Sequence, residues 1–185
     1  MKRIYQISLL LFLIFIGCGK SKAQDFALKT NILYDATSTI NVGCEIGIAP
    51  KWTMDVSGNY NAWDMSRDRM WRHAFIQPEA RYWLCDRFSG HFIAAHLHSG
   101  IYNISNIAQL KGYRLQGWFA GAGVGYGYAL ILNRHWNMEF ELGVGYAYTC
   151  SDKFECQQCG SMIYDDRPYH YVGPTKAAIS FVYLF

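Results

Sequence analysis

The feature that most constrains this chain is a two-residue alternation sustained over positions 115–150 and interrupted only at Asn133-Arg134-His135. In its first half Trp118, Ala120, Ala122, Val124, Tyr126, Tyr128, Leu130 and Leu132 alternate with Gly117, Phe119, Gly121, Gly123, Gly125, Gly127, Ala129 and Ile131. In its second half Met138, Phe140, Leu142, Val144, Tyr146 and Tyr148 alternate with Asn137, Glu139, Glu141, Gly143, Gly145, Ala147 and Thr149. A period of two is that of a strand, so the stretch predicts an antiparallel hairpin with one aromatic, apolar face and one small or acidic face. Glycines turned to bulk water would leave backbone bare, whereas inside a narrow barrel they make room for long polar side chains from other strands. The aromatic face is therefore expected to meet lipid.

The same alternation recurs at 26–34, 40–48, 52–60, 74–84, 93–97 and 177–185, which makes eight strands with the central hairpin. Asp35 to Ser38 read as a short loop, and Pro50-Lys51, 86–90 and 133–135 as tight turns. The runs 64–72, 105–114 and 151–167 read as long loops, so short and long connections alternate as they do in outer-membrane barrels. Pro78 removes a ladder donor and predicts a bulge or local break in its strand. Phe185 ends the chain in phase with the outward face. The expected fold is all-β: an eight-stranded antiparallel transmembrane β-barrel, whose interior is just wide enough for side chains to fill and so leaves no pore.

Lys2 and Arg3 precede an apolar run over 4–16 that is too short to span a bilayer as a helix and has the layout of a secretory signal. Ser21-Lys22-Ala23 offers a cleavage site that leaves residues 24–185 as one domain; residues 15–18 offer instead a lipobox that would lipidate Cys18. The first is favoured, because a spanning barrel needs no lipid anchor. Removing residues 1–23 takes four bases and no acids from 17 Lys/Arg and 14 Asp/Glu, so the formal charge moves from +3 to −1. With no basic cluster left to neutralise phosphates, nucleic acid is not a partner. Fourteen tyrosines and six tryptophans suit interfacial girdles, and the expected location is the outer membrane of a Gram-negative bacterium.

The inward face would carry Lys29, Glu45, Asp55, Glu79, Arg81, His96, His98, Glu139, Glu141 and Lys176. Such charges are tolerated only if they pair, and their signs are mixed, so a polar network that plugs the lumen is expected. His96 or His98 with a carboxylate orienter and a serine would be the parts of an esterase or lipid deacylase, but enzymes of that kind display their site at the outer rim, whereas these residues fall near mid-barrel. No catalytic residue is assigned. Cys156-Gln157-Gln158-Cys159 forms a single CxxC pair, too few ligands for a structural zinc, so no metal and no cofactor are expected. In an exported protein two of Cys150, Cys156 and Cys159 are expected to form a loop disulfide, Cys156–Cys159 being nearest in sequence. Arg67, Arg69, Trp71 and Arg72 mix bases with aromatics and are a candidate contact for an envelope protein or surface polysaccharide, or an anchor at the bilayer boundary.

The layout resembles the small eight-stranded outer-membrane barrels, adhesin-like and enzymatic alike. The runs Leu28-Lys29-Thr30-Asn31-Ile32-Leu33-Tyr34, Gln77-Pro78-Glu79-Ala80-Arg81-Tyr82-Trp83, Gly121-Ala122-Gly123 with Tyr126-Gly127-Tyr128, Gly143-Val144-Gly145-Tyr146, Cys156 to Cys159-Gly160 and Gly173-Pro174-Thr175-Lys176 resemble an uncharacterised Gram-negative barrel family of unknown function. That resemblance implies fold and location and no reaction. The expected role is a non-enzymatic outer-membrane barrel of structural or surface-contact function. The alternatives are a soluble, lipocalin-like carrier of a small ligand, with its aromatics inside, and an outer-membrane lipid hydrolase.

Overall fold

The computed structural model describes residues 25–66, 69–106, 112–155 and 160–185. The expected signal segment, Cys18, Arg67, Cys156 and Cys159 lie outside the described residues. The strands are β1 (Phe26–Asn31), β2 (Ile40–Ala49), β3 (Trp52–Asn61), β4 (Asp64–Ser66), β5 (Arg69–Trp83), β6 (Gly90–Ser105), β7 (Arg114–Ile131), β8 (Trp136–Phe154) and β9 (Met162–Leu184), with one short helix, α1 (Ile32–Ala36). Each pairs antiparallel with its neighbour; β3 pairs with β5, and β1 pairs with β9. The eight longer strands therefore close into a ring, while the three-residue β4 hangs on the start of β5.

One end of the ring carries the tight turns at 50–51, 84–89 and 132–135 together with Phe26 and Phe185. Asn133 shapes the last of these, its side-chain oxygen accepting from the His135 and Trp136 N–H groups at 3.0 Å. The other end carries α1, the β4–β5 hairpin and the connections after β6 and β8. The alternation sorts side chains as the pleat requires. Ile93, Leu97, Ile101, Val124, Leu142 and Val144 stand exposed on the outer face. Aromatic pairs cluster toward both ends of that face: Trp52–Tyr82 at 5.1 Å and Trp136–Tyr183 at 5.0 Å near the turns, Trp118–Tyr148 at 5.7 Å near the other end.

Three local features depart from the sequence expectations, and a fourth, at Pro78, meets them. The first strand stops at Asn31, whose side-chain oxygen accepts from the Leu33 N–H at 3.1 Å and caps α1. Ile32 and Tyr34 thereby leave the strand phase, and Tyr34 turns inside, its ring 5.9 Å from Phe75. Within the expected loop 64–72, Asp64–Ser66 pairs as β4 with the start of β5, so Arg69, Trp71 and Arg72 stand on β5. At Pro78 the β5–β6 ladder skips Gln77 and Pro78 with its register unchanged, a local break and not a bulge. The bulge lies in β9: Gly143 pairs with Lys176 but Val144 with Pro174, which leaves Thr175 extra. Outward positions are odd-numbered below it (Ala177, Phe181) and even-numbered above it, where His170 packs 5.3 Å from Tyr148. That phase change hid the upper half of β9, and within the expected 151–167 loop residues 151–154 and 162–167 belong to β8 and β9.

The ring interior has three layers. At the turn end Trp83, Phe88, Phe92, Val182 and Leu184 form a buried apolar plug with Ala27, Ala94 and Ala129. Phe88 is folded inward by the 84–89 turn, whose Phe88 carbonyl accepts from Asn137 Nδ2 at 2.7 Å. A charged layer fills the middle, and an aromatic chamber occupies the far half. The β7 glycines supply the width: a Cβ on Gly127 would overlap the Phe92 ring, and one on Gly121 or Gly123 the His98 or His96 imidazole. Gly127→Leu should therefore lower stability by about 1–3 kcal/mol through overpacking. Val124→Leu, on the outer face of the same strand, should leave the thermal midpoint within error; equal effects in a melt followed by gel mobility would contradict the assignment of faces.

Candidate functional site

All ten ionisable side chains assigned to the inward face are buried in the middle layer. Arg81 on β5 is its hub. Its guanidinium meets Glu79 at 2.5 Å, Glu139 and Glu141 at 2.8 Å and Glu45 at 2.9 Å, and its Cζ lies 4.5 Å over the Phe92 ring of the plug. Lys29 on β1 bonds Glu45 and lies 3.3 Å from Glu139 and 3.5 Å from Asp55. Lys176 on β9 bonds Glu79 and Glu141, the latter at 3.0 Å. Thr53 donates to Glu45 and accepts from Trp83 Nε1 at 2.9 Å, which ties the network to the plug. Five carboxylates thus face three cations, and each cation touches at least two acids from different strands. A buried ion costs several kcal/mol unless paired and hydrogen-bonded, so the layer is stable only as a whole.

His96 and His98 sit where the charged layer meets the chamber. His96 Nε2 lies 2.9 Å from Thr175 Oγ1, the bulged residue that sequence reasoning missed because its parity points outward until the bulge turns it in. His96 Nδ1 is 3.8 Å from Glu79, beyond hydrogen-bond range, and Glu79 is already engaged by Arg81 and Lys176. Thr175 and His96 thus form a hydroxyl–imidazole pair, and among the described residues no carboxylate lies within hydrogen-bond range of His96 Nδ1. Glu79, His96 and Glu141 present ligand atoms within 4.8 Å of one another. The Lys176 ammonium bridges those two carboxylates and supplies the positive charge that a metal ion would bring.

Above this floor lies a cavity of about 540 Å³, walled by Tyr34 from α1, Trp71 and Phe75 from β5, Tyr102 from β6 and Phe119 from β7, with Thr175 and Lys176 beneath. Phe119 touches Phe75, His98 and Tyr102 at centroid distances of 6.0–6.2 Å. Trp71 is half-buried and belongs to this wall, packed 6.1 Å from His73, because odd positions of β5 face inward; it is not the surface contact that its sequence neighbours suggested. Arg69 and Arg72 are exposed.

On the β8–β9 extension Asp152, Asp165 and Asp166 approach one another, and the Asp166 N–H donates to Asp152 at 2.9 Å. A hydrogen bond to Asp152, reinforced by the neighbouring negative charges, pushes the Asp165 carboxyl up from its ordinary value. Cys150 in β8 is a free thiol, its Sγ 3.6 Å from Asp166, and no disulfide joins the described cysteines.

Replacing Glu139 by Leu leaves Arg81 and Lys29 each short of one partner in a buried layer. A loss of about 3–5 kcal/mol is expected, against a smaller loss for Glu139→Gln, which keeps an acceptor. A thermal melt in detergent in which Glu139→Leu matches the wild type would overturn the network as described.

No curated protein and no solved structure is found to match the chain. Its relationship lies at the level of a sequence family: residues 9–185 match one family profile, and the chain belongs to the family described as "Protein of unknown function (DUF3575)".

Proposed function

We propose that the protein is an integral outer-membrane β-barrel with a plugged interior and a structural or surface-contact role. The observation that carries this reading is the inversion of its two faces. The wall presents Val, Leu, Ile and aromatic side chains outward, while the charges are enclosed. In water so broad an exposed apolar surface is an association hazard; in a bilayer it is the required solvent contact. The aromatic clusters agree in position. Trp118 and Tyr128 stand about ten residues apart on β7, which at roughly 3.4 Å per residue and a tilt of about 45° spans about 24 Å, close to the apolar band of outer-membrane barrels. The signal-like segment supports export to that location. A soluble lipocalin-like carrier would need the opposite phase, with its aromatics turned in.

The interior supports a plug over a pore, because the apolar layer and the Arg81 layer fill the ring's cross-section at the turn end and the middle. The 19-residue β8 and 23-residue β9 run past the upper aromatic cluster and carry Tyr164, Asp165, Asp166 and Arg167 beyond it. With exposed Arg69 and Arg72, that projecting hairpin is the surface offered to an envelope protein or polysaccharide. Cell fractionation should recover the chain with the outer membrane, and its unheated form should migrate faster in a detergent gel than its boiled form. Recovery as a water-soluble periplasmic protein, folded without detergent, would overturn the reading.

A further inference from the structure

The two ends of the interior are built differently. The turn end is packed solid by Trp83, Phe88 and Phe92, whereas the far half keeps a chamber of about 540 Å³ with aromatic walls, in the size range of small-ligand sites. The ring's wall is also weakest beside that chamber. β1 ends at Asn31, paired with Ser180, while β9 continues to Met162 with β8 as its strand neighbour. The single turn of α1 covers the gap in place of a strand, and both α1 (Leu33, Tyr34) and β9 (Pro174, Ala177) line the chamber. The Asn31 side chain ties the lower edge of the gap, donating to the Ala177 carbonyl and accepting from the Ile179 N–H, each at 3.2 Å. Across β9, Pro174 and Ala177 pair with Val144 and Leu142, two exposed residues of the apolar outer belt. If the belt meets lipid, so does the gap.

We propose that this chamber binds a single hydrocarbon chain drawn from the surrounding lipid and admitted sideways between α1 and β9. The inference rests on the membrane reading. The chemistry fits an acyl chain: the walls are largely aromatic, with Thr37, Thr39 and His73 the polar residues among them, and on the floor the Thr175 hydroxyl and the Lys176 ammonium can meet an ester or carboxylate end. The gap opens toward hydrocarbon, so a chain entering through it crosses no water. α1 is short enough to move without breaking any ladder of the ring.

Trp71 in the chamber wall is the reporter. The full-length protein, folded in unbrominated maltoside micelles, is titrated with brominated stearate or with brominated phosphatidylethanolamine, whose bromines quench indole on contact. A saturable component at one equivalent is expected above the linear quenching of the outward tryptophans, and it should vanish in Trp71→Phe. Ala177→Phe places a ring at the mouth of the gap on the outer face, where an apolar substitution is tolerated, and should weaken the saturable component about tenfold or more. Saturation by both probes assigns the site to glycerolipid chains, and saturation by stearate alone to free fatty acid. Absence of a saturable component, its survival in Trp71→Phe, or unchanged affinity in an Ala177→Phe protein with normal heat-modifiable migration would overturn the proposal. Failure of the membrane reading is read separately, by fractionation.

Discussion

A guanidinium enclosed on every side must be matched by acids placed around it, and the rest of the structure is arranged to satisfy that requirement for Arg81. Besides Glu79 on its own strand, its hydrogen-bonded carboxylates come from β2 (Glu45) and β8 (Glu139, Glu141), strands far apart in sequence that the closed ring brings around it. Ring closure and charge pairing are therefore one event. An open sheet would leave Arg81 without its β2 and β8 partners, and a closed sheet without these ions would hold a void. The β7 glycines belong to the same constraint, since side chains there would occupy the space that His96, His98 and Phe92 need.

The three interior layers divide the demands on a narrow ring. At the turn end, apolar packing seals the interior, and a cation–π contact from Arg81 to Phe92 couples that seal to the charges. In the middle, ion pairs bind opposite walls to each other. At the far end packing is relaxed: a bulge, a one-turn helix and unequal strand lengths replace regular ladder. Departures from regularity tend to gather where a protein does something other than hold itself together. Thr175 and Tyr34, the side chains that the bulge and the helix turn inward, both line the chamber.

The alternation of residue types was enough to assign each wall residue a face wherever the period of two ran unbroken. It placed Glu45, Asp55, Glu79, Arg81, Glu139 and Glu141 together inside and Val124, Leu142 and Val144 outside, because the pleat makes facing a local property of the chain. Local signals missed in that reading were also present, such as the Asn31 cap that ends β1. Tertiary structure alone decided the rest. Which acid meets which base depends on register between strands distant in sequence. The upper half of β9 reads as loop because one extra residue at Thr175 reverses its parity, and only the pairing of Val144 with Pro174 reveals the slip. Trp71, whose sequence neighbours Met70 and Arg72 suggest a surface loop, becomes a chamber wall once β5 extends to Arg69. Period fixes facing within a strand; bulges, register and closure determine what each face meets, and these arise from contacts between strands that no single stretch of sequence contains.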